Sequence, residues 1–376
     1  MKKGSRTREV EESMSKILIV TNHSYMLYRF RKEFIERLLK HYKVVISTPF
    51  KGHQEDLIKM GCQCICTDID RRGMNPIKDL KLMKEYWKII SEEKPEVVIT
   101  YSIKPNIYMG TVCKWRHIPY YVNVQGLGTA FESKKMAMIA SAMYRFAVRK
   151  AKTVFFENRG DAQVFLDKKI VKENKVEVLS GAGINLSKYT YTDFPKEQSR
   201  HFLYLGRIMK EKGIDEWFYA AERLKAEYGN QVSFDMVGFF EDEYKEKVES
   251  LQAQGVIEFH GFKENPIPYY EKASCIVLPS YHEGMSNVLL EAAAIGRPVI
   301  TSDIPGCKEA VLEGESGFVC PPQDKDRLYE TMKRVMDMSD QELTEMGKKG
   351  RTHMQNRFEK SAIVDQTVEA MKKKYA

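Results

Sequence analysis

Short apolar runs separated by amphipathic stretches recur along almost the whole chain. Lys16–Thr21 (KILIVT) is followed by a polar loop and an amphipathic stretch from Tyr28 to Lys40. VVIST (Val44–Thr48), EVVIT (Glu96–Thr100), YYVNV (Tyr120–Val124), TVFFEN (Thr153–Asn158) and VEVLS (Val176–Ser180) follow, most alternating with helical segments such as Pro76–Glu92 and Lys134–Ala151. Runs this apolar, with helices between them, predict strands buried on both faces of a parallel α/β sheet. Asp193–Arg200 (DFPKEQSR) is polar, holds a proline and reads as a linker. The alternation then restarts with HFLYLGR (His201–Arg207), VSFDMVG (Val232–Gly238), IEFHG (Ile257–Gly261), CIVLPS (Cys275–Ser280) and PVITS (Pro298–Ser302). The predicted organisation is a polar tail over 1–13, one doubly wound parallel-sheet domain over 14–192, and a second over 193–358. An amphipathic closing helix over 359–376 can pack back on the first domain or stay on the second. Ligands of such sheets bind outside the carboxyl ends of the strands, so two sheets facing a central cleft would gather the chemistry there.

Composition narrows the class. No apolar run approaches the ~20 residues of a membrane span, and residues 1–13 lack the apolar stretch of a secretion signal. Seven scattered cysteines suit a reducing, cytoplasmic setting better than a disulfide framework. Cys62, Cys64 and Cys66 alternate, which on a strand lines up one buried face rather than a tetrahedral metal centre. The net charge of +8 is unevenly distributed: residues 1–193 carry 35 Lys and Arg against 21 acids, leaving the remainder acidic. A basic half implies an anionic partner on one side, whether nucleic acid, a membrane surface or a phosphorylated substrate. No recognition-helix, RNA-binding or zinc-finger signature accompanies the charge, so nucleic acid is set aside.

Two motifs carry the chemistry. Glu283–Glu291 (EGMSNVLLE) follows the strand CIVLPS; Gly284 permits a sharp turn, and Ser286 and Asn287 are helix-capping residues. The helix start would offer free N–H groups and its positive end to a diphosphate. Glu283 and Glu291 are then available for sugar and ribose hydroxyls; the plainer reading is a surface acid and a salt-bridge partner. Leu205–Gly213 (LGRIMKEKG) places Arg207 directly after Gly206 at a strand end, with Lys212 and Gly213 one loop later. Arg and Lys there could neutralise a departing diphosphate, or could be two solvated basic residues at a helix start. Lys134–Lys152 is apolar with basic flanks, including Arg145, Arg149 and Lys150, as a core helix or a membrane-surface helix would be.

Together the motifs resemble the family 4 glycosyltransferases of the two-Rossmann-domain GT-B fold, with Gly206, Arg207, Lys212 and Gly213 followed by Glu283 and Glu291. The resemblance runs from Met14 through nearly the whole chain. It implies a retaining glycosyltransferase, a hexosyltransferase-type enzyme with a UDP-sugar donor, no cofactor and no essential metal. By that resemblance Arg207 and Lys212 bind the donor diphosphate, Glu291 holds the ribose and Glu283 a sugar hydroxyl. The amides of Met285, Ser286 and Asn287 would hold the distal phosphate. The Asp68–Asp70 pair is similar to a metal-binding pair of the other glycosyltransferase fold, but lies in the wrong domain with no partner block.

TYSIKPNIYMG (Thr100–Gly110), NVQGLGTAF (Asn123–Phe131), FFEN (Phe155–Asn158) and GAGINLSKY (Gly181–Tyr189) look like the bacterial capsule, exopolysaccharide and glycan-assembly branch. That branch implies a glycan on undecaprenyl diphosphate as acceptor, and peripheral association with the inner face of the cell membrane. Lys104, Gln125, Gly126 and Gly128 would then lie near the acceptor or a phosphate. Relatives carry His at the Gln125 position, and Gln cannot act as a base. After the first strand, where relatives have a Gly pair, this chain reads NHSYMLYRFR (Asn22–Arg31), so His23, Arg29 and Arg31 are expected to face the acceptor diphosphate. A soluble acceptor is the alternative, and a nucleotide-sugar 2-epimerase is a further one.

Overall fold

Strand β1 (Lys16–Val20) buries Ile17 and Ile19 on one face and Leu18 and Val20 on the other, so it needs cover on both sides. In the computed structural model, which describes residues 14–70, 75–128, 131, 133–196 and 199–373, that cover is provided by helices. Around β1 lie β2 (Lys43–Thr48), β3 (Gln63–Cys66), β4 (Val97–Tyr101), β5 (Tyr120–Val124), β6 (Thr153–Phe156) and β7 (Val176–Val178). All pair in parallel, in the order β3-β2-β1-β4-β5-β6-β7. The second sheet consists of β8 (Arg200–Ile208), β9 (Val232–Phe240), β10 (Glu258–Phe259), β11 (Cys275–Leu278), β12 (Val299–Ser302) and β13 (Gly317–Cys320). Its order is β10-β9-β8-β11-β12-β13, again parallel throughout. Strand order reverses at β1/β4 and at β8/β11, where doubly wound sheets open a ligand crevice.

The chain separates into two units, one running through Ala182 and taking in Ser361 onward, the other Gly183–Lys360. The second unit therefore starts ahead of the Asp193 break. Ile184 donates to the Phe358 carbonyl and pairs with Glu359, and Arg351 donates to the carbonyls of Leu186, Tyr189 and Ala294. Phe194, inside the stretch read as a linker, is buried in the second core. Helix Lys360–Lys373 packs on the first unit: Ile363, Val364 and Met371 join the core of Ile17 and Ile19, and Tyr121 donates to the Met371 carbonyl at 2.7 Å.

Two further details differ from the sequence reading. Strand β13 was not anticipated, because its Gly317–Cys320 run is short and opens on glycine. The alternating cysteines do not form a fully buried row: β3 is the edge of its sheet, so Cys62 is buried, Cys64 half-buried and Cys66 exposed. Burial pushes the Cys62 thiol up to about 12 and that of Cys64 to about 11, and all seven cysteines are free. No helix of the described residues is long and apolar enough to cross a membrane. The tail over 1–13, Arg71–Met74 and Thr129–Ala130 lie outside the described residues.

One buried charge ties β8, β9 and β10 together. Asp235 on β9 accepts from His260 at 2.7 Å, with His201 at 3.8 Å and Lys272 at 3.6 Å, and Glu258 lies on the far side of His260. Burial alone would raise its pKa, but the nearby His201 ring, the hydrogen bond from His260 and the Lys272 charge outweigh this and lower it from 3.8 to about 2. A depressed carboxylate stabilises the fold above its unfolded pKa, and the contribution is lost as pH falls through the folded value. Urea unfolding of wild type and Asp235→Asn should differ by about 2 kcal/mol from this source at pH 6. The difference should shrink between pH 4 and pH 2; a gap independent of pH would contradict it.

Candidate active site

In the second unit, the carboxyl ends of β8 and β11 bring the two sequence motifs into one place. Strand β8 does not stop at Gly206: it continues through Arg207 to Ile208, paired with Phe239 and Phe240 of β9. A tight turn at Lys210–Lys212 and then Gly213 lead into helix Ile214–Tyr228. The Glu211 carbonyl accepts from the Tyr281 amide at 2.9 Å, which ties this turn to the loop after β11. Across that junction Lys212 forms an ion pair with Glu283, whose same oxygen accepts from Ser280 at 3.0 Å. Both charged side chains are largely enclosed, so the pair is held rather than left waving in solvent. Arg207 is more open, with its guanidinium 3.7 Å from Glu241.

Helix Asn287–Ile295 starts immediately beyond, with Ser286 as its N-cap. Its first internal bond runs from Leu290 N–H to the Ser286 carbonyl, so the amides of Asn287, Val288 and Leu289 precede the ladder. The Ser286 hydroxyl is buried, makes no capping bond and has no partner. The expected amide set changes here: the Ser286 N–H donates to the Gly306 carbonyl at 2.9 Å and is already used. That contact requires glycine at 306, since a Cβ there would come within 2.4 Å of the Gly284 carbonyl. Met285 turns its side chain into the second core, so only its backbone faces the turn.

Glu291 sits in the second turn of the same helix and is buried; its two oxygens accept from Tyr189 at 2.7 Å and Tyr270 at 2.9 Å. Those two tyrosines come from outside both motifs and were missed from sequence. Tyr189 lay inside GAGINLSKY, but nothing local ties it to an acid 102 positions away. The exposed ring pair Phe239 and Phe262, centroids 6.1 Å apart, was missed too. Phe239 is the β9 neighbour of Arg207, so these aromatic faces border the site.

In the first unit the carboxyl ends of the strands hold a separate polar group. Arg31 is buried, ion-paired with Glu157 beyond β6, and its guanidinium lies 5.4 Å from the Tyr101 ring. Gln125 beyond β5 donates to the same Glu157 oxygen at 3.5 Å. Glu157, visible in FFEN but not singled out, is thus the centre of the group. Gly126 and Gly128 have φ of +127° and +61°, so the backbone alone calls for glycine there. Ser102 donates to Asn22 at 2.7 Å, and His23 occupies the N-cap position of the short helix Ser24–Phe30 without a side-chain capping bond, while Arg29 of that helix lies over the Tyr25 ring. Lys104 is ion-paired with Asp79 at 2.7 Å, with both side chains mostly enclosed.

Among the described residues, Asp235, Glu258 and His260 form a group with metal-ligand chemistry. It lies toward the opposite strand ends from Arg207, and its buried carboxylate already has three cationic or N–H neighbours.

Residues 16–158 match the family described as glycosyl transferase 4-like, and residues 193–353 match glycosyl transferases group 1. The chain is 24% identical over 330 residues to the N,N'-diacetylbacillosaminyl-diphospho-undecaprenol alpha-1,3-N-acetylgalactosaminyltransferase of Campylobacter jejuni, covering 83% of this chain and 86% of that one. It is 27% identical over 320 residues to the capsular polysaccharide biosynthesis glycosyltransferase CapM of Staphylococcus aureus, covering 80% and 82%. Its fold matches the crystal structure of Anabaena Alr3699/HepE in complex with UDP and glucose with a TM-score of 0.77, at 14% identity, over 94% and 99% of the two chains. Two Rossmann-like parallel sheets, the paired motifs of the second unit and family matches across both units lead to one conclusion: the chain belongs to the family 4 glycosyltransferases, of GT-B fold.

Proposed function

We propose that this glycosyltransferase moves a sugar from a UDP-sugar to a glycan carried on a polyprenyl diphosphate, with retention of configuration and without a metal. The observation that carries the reading is the Lys212–Glu283 pair beside the unladdered amides of Asn287–Leu289. A cation next to a helix N-terminus is suited to a diphosphate and to the charge it gains on leaving. Lys212 has three N–H donors, enough to keep Glu283 and still reach phosphate oxygens. Arg207 supplies the second cation, Glu283 an acceptor for a sugar hydroxyl, and the orphaned Ser286 hydroxyl a further donor. Glu291, fixed by two tyrosines, is a carboxylate acceptor for the ribose hydroxyls. The exposed Phe239–Phe262 pair gives a planar base an apolar face.

In the transfer, the bond from the anomeric carbon to the phosphate oxygen breaks and a bond to the acceptor oxygen forms on the same face. Attack on the same face makes an enzyme carboxylate nucleophile unnecessary, unlike in most retaining glycosidases, and the acceptor proton passes to the departing phosphate. The lipid-linked acceptor is supported by the diphospho-undecaprenol acceptor in the name of the Campylobacter relative, and the donor nucleotide by the UDP of the Anabaena structure. The sugar belongs to the N-acetylhexosamine, hexose or uronic acid classes. In the first unit, Glu157, Gln125 and Arg31 provide a fixed carboxylate and amide for acceptor hydroxyls.

The test is UDP release across a panel of UDP-sugars, with and without an undecaprenyl-diphosphate-linked sugar. Release with one donor and only with the lipid-linked acceptor is expected. Equal release with free sugars would favour a soluble acceptor. Conversion of the donor sugar without UDP release would favour a 2-epimerase.

A further inference from the structure

We propose that three neighbouring helices of the first unit form a docking face for an anionic lipid bilayer, centred on Trp87, Trp115 and Phe146. This builds on the lipid-linked acceptor above, but its evidence is separate. Helix Pro76–Glu93 packs beside helix Ile103–Arg116, which packs beside helix Lys134–Val148. The first exposes Ile77, Leu80 and Trp87, spaced as one helical stripe, and the third exposes Met138 and Phe146. With Trp115 from the middle helix, these six side chains are 41–70% exposed. The rings are continuous: Trp87 and Trp115 have centroids 6.5 Å apart, and Trp115 and Phe146 6.3 Å apart.

Helix Lys134–Val148 thus divides its two faces. Ala137, Ala140, Tyr144, Ala147 and Val148 serve the core, as a Rossmann helix requires, while Met138 and Phe146 face outward. The outward residues are large and apolar, which a purely structural helix has no need of.

Charge selects the partner. From Pro76 to Phe156, which spans all three helices, the chain has fourteen Lys and Arg against six acids, and beyond Glu96 the single acid is Glu132. Arg116 lies over the Trp87 ring at 5.2 Å, and the Lys114 ammonium lies 3.1 Å from the Phe146 centroid. Arg149 and Lys150 are close enough to Lys114 to repel its charge. Aromatic rings set among such cations match the boundary between acyl chains and anionic headgroups. A second copy of this face would bring like charges together. Nucleic acid would leave Ile77, Leu80 and Met138 without an apolar partner.

The fluorescence readout is built in. Of three tryptophans, Trp87 and Trp115 lie on the face and Trp217 is fully buried in the second unit. With the full-length chain at low salt, phosphatidylglycerol-containing vesicles should float the protein, blue-shift its emission and, when brominated, quench it. Pure phosphatidylcholine vesicles should do so far less. Trp87→Ala/Trp115→Ala/Phe146→Ala and, separately, Lys114→Glu/Arg116→Glu should each lower partitioning about tenfold or more. Turnover on a short-chain, water-soluble acceptor should be unchanged, which also shows that the variants are folded. Unaltered vesicle binding in both variants, absence of binding by wild type, or a dimer that the variants dissociate would overturn the proposal. Vesicle binding without transfer to any lipid-linked acceptor would leave the docking face standing and remove the acceptor reading; transfer without vesicle binding would do the reverse.

Discussion

Lys212→Ala is expected to lower kcat for sugar transfer about 10²–10³-fold, the range found when one preorganised group facing developing charge is removed. The charge in question appears on the diphosphate as the glycosidic bond lengthens, so the loss should fall mainly on kcat and less on KM. Lys212 is suited to this because its position is set before any donor arrives: Glu283 holds it, Ser280 holds Glu283, and Tyr281 fastens the turn. The single variant also strands Glu283, so the Lys212→Met/Glu283→Gln double variant is the control. It removes both charges, and should remain folded yet as inactive as Lys212→Ala. Recovery of activity in the double variant would mean that the lysine serves only to compensate the acid. Arg207→Ala, at a more open position, should cost less in kcat and more in KM.

Arg297→Met is expected to destabilise the second unit by about 3–5 kcal/mol, the scale for breaking a buried charged network. Arg297 is 1% exposed, and its guanidinium has no carboxylate partner among its hydrogen bonds. It donates instead to the carbonyls of Tyr270, Glu271, Thr192, Asp193 and Gly296 and to the Thr192 hydroxyl, at 2.8–3.3 Å. Burial lowers its pKa to about 10, which still leaves it charged at neutral pH. Methionine fills most of the volume but leaves those oxygens unpaired, and lysine can reach only some of them. Trp217 lies in the same core, so urea unfolding followed by its emission reads the affected unit. A midpoint close to wild type would show that water replaces the guanidinium. A loss this large should also free Thr192 and Asp193, and with them the entry into β8.

Most strands and the division into two doubly wound sheets were readable in the chain because each buried strand carries its own apolar run, as Val97–Tyr101 and Tyr120–Val124 do. The exceptions have local causes. Strand β13 is too short to stand out, and β3 is an edge, where a half-covered strand relaxes the alternation. The motif of the second unit was readable for a related reason: Glu283, Ser286, Asn287 and Glu291 lie within one turn and one helix, so their spacing is fixed by local geometry.

Contacts between distant segments had no such signature. Tyr189 and Tyr270 meet Glu291, Glu157 meets Arg31 across 126 positions, and Asp79 occupies Lys104. Ser286 loses its amide to Gly306, and Trp87, Trp115 and Phe146 come together from three helices. Local hydrophobic period therefore determined the fold class, the resemblance of the quoted motifs pointed to the family, and capping residues and spacing set which side chains of the second unit lie together. Which of those groups is already engaged, and which apolar side chains remain outside the core, was decided by tertiary packing. Pairing across a sheet depends on how strands are ordered, and the order of parallel strands is set by long-range burial that no short window of sequence contains.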